Sequence, residues 1–136
     1  MHHILEKLKE HRAKLTKARK LLINIFQAHH LPLTEAEIRA KLKVNKTTVY
    51  RELELFSNLG IVKEVFFGDG KKRFELNLHN HHHHLICTNC EKVEDIFVHK
   101  DVEHVEQKIR KLKNFVIKNH SLEFFGLCKN CSNNLI

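Results

Sequence analysis

Thr34-Glu35-Ala36-Glu37-Ile38-Arg39-Ala40-Lys41-Leu42-Lys43-Val44-Asn45-Lys46-Thr47-Thr48-Val49-Tyr50-Arg51 is the stretch whose reading decides the fold. Thr34, with Glu37 three residues on, makes a capping box that starts a helix reaching Leu42. Lys43-Val44-Asn45 leaves room for one tight turn, and Asn45 can cap the next helix. That helix turns Val49, Leu53, Phe56 and Leu59 inward, and Gly60 ends it. Two helices joined by a three-residue turn are a helix-turn-helix. Residues 61–67 and 72–76 then read as strands around Gly68-Asp69-Gly70, a hairpin signal. Together these predict a winged helix.

Upstream, residues 4–12 read as a short helix with Ile4, Leu5 and Leu8 on one side. Thr16 can cap a longer helix carrying Ala18, Leu21, Leu22, Ile25 and Phe26, and Pro32 breaks the chain before the capping box. The 136-residue chain holds 24 Lys and Arg against 16 Asp and Glu, and the excess is uneven. Residues 1–76 hold 16 against 9, and residues 77–136 hold 8 against 7. A solvated basic surface is the bland explanation. A helix-turn-helix inside the basic half points instead to nucleic acid. The amino end is charged, and no uncharged apolar run approaches the ~18 residues of a membrane span. A cytoplasmic protein with reduced thiols and no membrane partner is expected.

The second half is organised by metal-ligand chemistry. Cys87-Thr88-Asn89-Cys90 and Cys128-Lys129-Asn130-Cys131 repeat a C-x2-C spacing across 37 residues. Four thiolates in two knuckles suit a tetrahedral structural Zn2+. Disulfides are the competing reading, which a reduced compartment disfavours. Just before the first knuckle, His79 and His81 to His84 place five of the 13 histidines in one short run. In an extended chain His82 and His84 point one way, His81 and His83 the other, so one stretch can serve two sites. Residues 85–87 and 93–98 read as strands around the first knuckle. Val102, Val105, Ile109 and Leu112 read as the inner stripe of a helix, and residues 115–118 and 122–127 as further strands.

At this point the chain resembles the ferric uptake regulator family of metal-dependent repressors. The residues carrying the likeness are Thr48-Val49-Tyr50-Arg51, the His81–Cys90 segment, Asn119-His120-Ser121-Leu122, and Gly126-Leu127-Cys128 with Cys131. Gly60-Ile61-Val62-Lys63-Glu64 with Gly68-Asp69 is similar to the peroxide-responsive branch, and Tyr50-Arg51 to the iron-responsive one. The resemblance implies an α+β chain with a winged helix-turn-helix DNA-binding domain over residues 1–76. A small α/β dimerisation domain with a four-cysteine zinc site follows over residues 77–136. It implies a homodimer that closes on a palindromic double-stranded DNA operator when metal binds.

In that resemblance Lys14 matches a minor-groove lysine, and Tyr50 and Arg51 match a base-contacting pair. Chemistry agrees: Arg can pair with guanine O6 and N7, and a Tyr ring can lie against a thymine methyl. Arg19, Lys46 and Thr47 are candidate phosphate contacts. The resemblance gives Glu75, His82, His84 and Asp95 to a regulatory site, and His81, His83, Glu103 and His120 to a second one. Mixed imidazole and carboxylate donors suit Fe2+, Mn2+ or Zn2+.

Two departures and one branch-specific match stand out. The histidine that the family's DNA-binding domain supplies to the regulatory site falls on Pro32, with His29 or His30 as substitutes. His83 stands where the family more often has Asp. Asp95 follows the peroxide-responsive pattern, so iron-catalysed histidine oxidation is the alternative to plain metal sensing. A zinc hydrolase built on His82, His84 and Glu75 would need motifs such as H-E-x-x-H that the sequence lacks. A mere metal store would leave Tyr50-Arg51 without a task. The expected protein is a regulator, not an enzyme.

Overall fold

The computed structural model describes residues 1–77, 82–97, 99–118 and 120–134, without the side chains of residues 99–101. It divides into two compact units, Met1–Asn77 and Leu78–Ile136. The first contains α1 (His2–Glu10), α2 (Lys17–Ala28), β1 (Leu33–Thr34), α3 (Glu35–Leu42), α4 (Lys46–Asn58), β2 (Val62–Phe66) and β3 (Lys72–Leu76). Its sheet runs β1-β3-β2 and is antiparallel throughout, with Leu33 and Glu64 on either side of Phe74. This is a winged helix.

The cap chemistry is where the sequence places it. Thr34 Oγ1 accepts from the Glu37 N–H at 3.2 Å, and the Glu37 carboxylate accepts from the Thr34 N–H at 3.4 Å. Lys43 closes α3 in the left-handed region, φ 57°, donating its N–H to the Arg39 carbonyl. Asn45 Oδ1 then accepts from the Thr48 N–H at 2.8 Å and opens α4. The turn is therefore fixed at both ends, and so is the direction in which α4 leaves it.

The core joins all these elements. Leu22, Ile23 and Phe26 of α2 meet Ile38 and Leu42 of α3, and Val49, Leu53 and Phe56 of α4, under Ile61, Val62 and Phe74. One expectation shifts: Leu21 is exposed and Ile23 is buried, so the inner stripe of α2 lies round the helix from the predicted one. β1 is too short for periodicity to reveal. It pairs the chain after Pro32 to β3 and so anchors α3 to the wing.

The second unit contains β4 (His83–Cys87), β5 (Val93–Ile96), α5 (His99–Lys113), β6 (Glu123–Gly126) and α6 (Lys129–Asn133). The sheet order is β5-β4-β6, antiparallel between β4 and β5, parallel between β4 and β6. A parallel neighbour needs a crossover, and α5 lies in the connection that supplies it. Residues 115–118 do not form the expected strand: no ladder reaches them among the described residues. Phe115 and Ile117 instead line a hollow of about 590 Å³ with α5 and Phe124. The second knuckle opens a short helix, α6, with Cys128 as its N-cap.

The stripe expected to be buried on α5 is largely open: Val102 is half-buried, and with Val105 and Ile109 it faces that hollow rather than a filled core. Val105 and Ile109 are exposed, and Leu112 is 74% exposed. Among the described residues of this unit only His82, His83, His84 and Cys87 are buried. Phe115, Val116, Phe124, Phe125 and Leu127 add to the apolar surface. Asn45→Ala, by contrast, tests the first unit. Removing that cap should cost about 1 kcal/mol, read as a lower midpoint of denaturant unfolding, while Asn45→Asp keeps the midpoint near the parent's.

Candidate metal centres and nucleic-acid face

Parallel pairing of β4 and β6 sets Cys87 opposite Gly126, and Cys128 follows two residues later. Both knuckles thus emerge at one end of the sheet. The first turns through Glu91, whose left-handed φ of 65° reverses the chain after Cys90. The four sulfurs lie within 4.8 Å of one another, with Cys90 Sγ 3.8 Å from Cys128 Sγ. Four Zn–S bonds of about 2.3 Å in tetrahedral array put sulfurs about 3.8 Å apart, so the cluster has the dimensions of a zinc site. No disulfide joins these cysteines.

Backbone dipoles prepare the cluster for a cation. The Cys87 thiol is held down to about 6, first by the Cys90 N–H and then by the Cys128 N–H, the latter at 3.3 Å. Cys90 goes up to about 11, because Cys87, burial and the other two sulfurs outweigh the pull of the Lys92 N–H. One thiolate forms readily and the next demands positive charge, which Zn2+ supplies. Asn89 Nδ2 also donates to Cys131 Sγ at 3.3 Å.

The histidine run separates by strand alternation. The rings of His82 and His84 meet edge to face with centroids 5.1 Å apart. Asp95 is the cross-strand partner of His84, with its Oδ1 3.7 Å from His84 Nε2. His83 turns the other way, its ring centroid 5.3 Å from that of His120. His120 Nδ1 hydrogen-bonds Glu106, whereas Glu103 is exposed on α5. His81 lies outside the described residues. Glu75, on β3 of the first unit, is buried and pairs with Lys63 across the wing at 3.4 Å.

Glu106 escaped the sequence reading, yet a signal was there. It sits four residues after Val102 and three before Ile109, inside the apolar stripe of α5. A carboxylate on such a stripe asks for a partner.

On the first unit Lys46, Thr47, Tyr50 and Arg51 are exposed on α4, opposite buried Val49, Leu53 and Phe56. The Lys46 ammonium lies over the Tyr50 ring, 5.7 Å from its centroid. Lys14 is exposed on the connection between α1 and α2. Arg19 is drawn inward: its Nε donates to Glu52 at 2.7 Å and its Nη1 to the Lys14 carbonyl at 2.7 Å. His29 Nδ1 pairs with the Ile25 carbonyl at 2.8 Å, while His30 is exposed.

A winged helix joined to a unit carrying a four-cysteine cluster and a histidine-rich strand defines a metal-binding transcriptional regulator. Residues 10–125 match the model of the ferric uptake regulator family. The peroxide-responsive repressor PerR of Staphylococcus saprophyticus is 33% identical over 129 residues, covering 91% of this chain and 86% of that protein. The Vibrio cholerae ferric uptake regulator structure is 31% identical with a TM-score of 0.72, over 90% of this chain and 98% of that one. The Francisella tularensis ferric uptake regulator, solved with iron, is 26% identical with a TM-score of 0.72, over 88% and 94%. This chain belongs to the ferric uptake regulator family. It is a metal-responsive DNA-binding repressor, not an enzyme. No helix among the described residues is long and apolar enough to cross a membrane.

Cys87→Ser should lose the structural zinc and unfold the Leu78–Ile136 unit, since thiolate zinc contributes on the order of 10 kcal/mol to folding in small sites. Metal analysis with circular dichroism checks this. Retention of one tightly held zinc per chain and a native spectrum would contradict it.

Proposed function

We propose that this chain works in the cytoplasm as a homodimeric repressor, gripping a palindromic operator when Fe2+, Mn2+ or Zn2+ fills a regulatory site of Glu75, His82, His84 and Asp95. The observation that carries the reading is the placement of His82 and His84 on one face of the β4 segment, with Asp95 beside them. Two imidazoles and carboxylates make a donor set of intermediate softness, which exchanges metal more readily than the four thiolates do. His29 is the better candidate than His30 for a ligand from the DNA-binding half. Its Nδ1 is engaged with a backbone carbonyl, which orients the ring and leaves Nε2 to coordinate.

The second site draws on His81, His83 and His120, with Glu103 as the carboxylate the family resemblance supplies. Glu106 acts there as an orienting partner, fixing the His120 ring from the Nδ1 side. The DNA-facing set is Lys14, Lys46, Thr47, Tyr50 and Arg51. Arg51→Ala should weaken specific binding by about 1–3 kcal/mol and relax base preference at one position. The assay is an anisotropy titration of the promoter upstream of its own gene, with Fe2+, Mn2+ and Zn2+ added in turn. Metal-independent binding by the zinc-intact parent would defeat the proposal.

The exposed apolar side of the second unit supports the homodimer. Leu112 and Val116 are 74% and 80% exposed, so they pack little against their own chain. Large apolar side chains left this exposed are what a partner surface offers. Leu112→Glu with Val116→Glu should leave the zinc and the fold in place and convert a sedimenting dimer to monomer.

A second reading has Asp95 and the likeness to PerR in its favour. Bound Fe2+ would supply the redox chemistry and end unchanged, and the ring of His82 or His84 would lose two electrons and take one oxygen atom from hydrogen peroxide while the other oxygen leaves as water. Mass spectrometry of Fe2+-loaded protein after sub-stoichiometric peroxide decides between the two. An added oxygen on either histidine, absent with Mn2+, selects peroxide sensing. Unmodified peptides with intact DNA binding select reversible metal sensing.

A further inference from the structure

We infer that Arg19 and Glu52 form a positioning couple that sets the spacing between Lys14 and the recognition helix, and that Arg19 does not itself hold a phosphate. The inference rests on the DNA-facing roles proposed for Lys14, Tyr50 and Arg51.

Arg19 lies in the first turn of α2, where its own N–H donates to the Thr16 cap. Its guanidinium reaches two other segments at once. Nε donates to Glu52 at 2.7 Å, in the middle of α4, and Nη1 donates to the Lys14 carbonyl at 2.7 Å. The two charged side chains are only 18% and 12% exposed. Glu52 follows Arg51 directly and precedes buried Leu53, so it sits at the inner edge of the face that carries Tyr50 and Arg51. The Lys14 carbonyl accepts a second bond, from the Thr16 N–H at 3.1 Å. The backbone at Lys14 is thereby tied to α4 through one rigid, planar cation.

That geometry has a consequence for recognition. A residue reading the minor groove and a helix reading the major groove must meet one duplex together. A small error in their separation weakens both contacts, although neither side chain is lost. Arg19 gives Nε to Glu52 and Nη1 to a carbonyl, and Glu52 balances its charge. Electrostatics alone therefore makes a firm contrary claim: removing Glu52, an anion near DNA, should tighten binding. Positioning requires the reverse.

The test is a double-mutant cycle in the full, zinc-intact, Mn2+-loaded chain. The probe is a duplex selected by the parent protein from random sequence, titrated across a range of salt concentrations. Glu52→Gln, Arg19→Gln and the double variant should each weaken specific binding by a similar factor of about ten, the scale of one coupled charge pair. The slope of log affinity against log salt should stay at the parent's value, and Arg19→Lys should behave like Arg19→Gln. Thermal unfolding run beside each titration identifies variants still folded at the assay temperature, and Arg19→Lys carries the test where a Gln variant is not. Tighter binding by Glu52→Gln, or a slope reduced by about 0.9 in Arg19→Gln with binding kept by Arg19→Lys, would overturn the inference and return Arg19 to a phosphate. A parent without metal-dependent binding would fail the functional reading, a failure visible before any variant is made.

Discussion

The second unit depends on two strands running in the same direction. Parallel β4 and β6 end side by side, and each continues into a cysteine knuckle, so four sulfurs are delivered to one point. Little else is available to hold this unit together. Among its described residues the apolar side chains lie mostly at the surface, and those buried are three histidines and one cysteine. With so little buried hydrocarbon among its described residues, the unit has the composition of a domain that a metal staple helps to fold.

The first unit is built on the opposite principle. Fourteen buried apolar residues from four helices, three strands and the turn before β2 close around one another, and no metal is needed to explain their packing. The specific chemistry is kept at the ends of helices. A capping box, a left-handed Lys43 and an Asn45 cap orient α4 before its outer face makes any contact. The Arg19–Glu52 pair adds a tether between α2 and the centre of α4.

Those local devices explain what could be read from the sequence. Thr34, Glu37 and Asn45 act on neighbours three residues away, so their effect survives translation into a string of letters. Cys87, Cys90, Cys128 and Cys131 were equally readable, because metal-ligand spacing reflects knuckle geometry. The misreadings share the opposite character. Residues 115–118 look like a strand by composition, but a strand exists only beside a partner that the string does not show. The α5 stripe is apolar as its periodicity says, but periodicity does not say how much of it is covered, and most of it lies open to the hollow. Arg19 reads as a candidate phosphate contact, and its hydrogen bond to Glu52, 33 residues away, is not visible in the string. Glu106 was overlooked for the same reason, because His120 is its partner only in three dimensions.

The alternation of the histidine run carries a rule about evolutionary length change. His83 and His84 are successive residues of β4 with opposite facings, and the ladder to Asp95 and Glu123 fixes which faces which way. A one-residue insertion or deletion that slid this strand would exchange the two faces, handing each neighbourhood the other's imidazole. A two-residue slide would preserve facing while changing partners. Descendants of this chain can therefore vary the identity of a side chain in the run, as at His83, far more freely than they can vary the count of residues between His83 and the first knuckle.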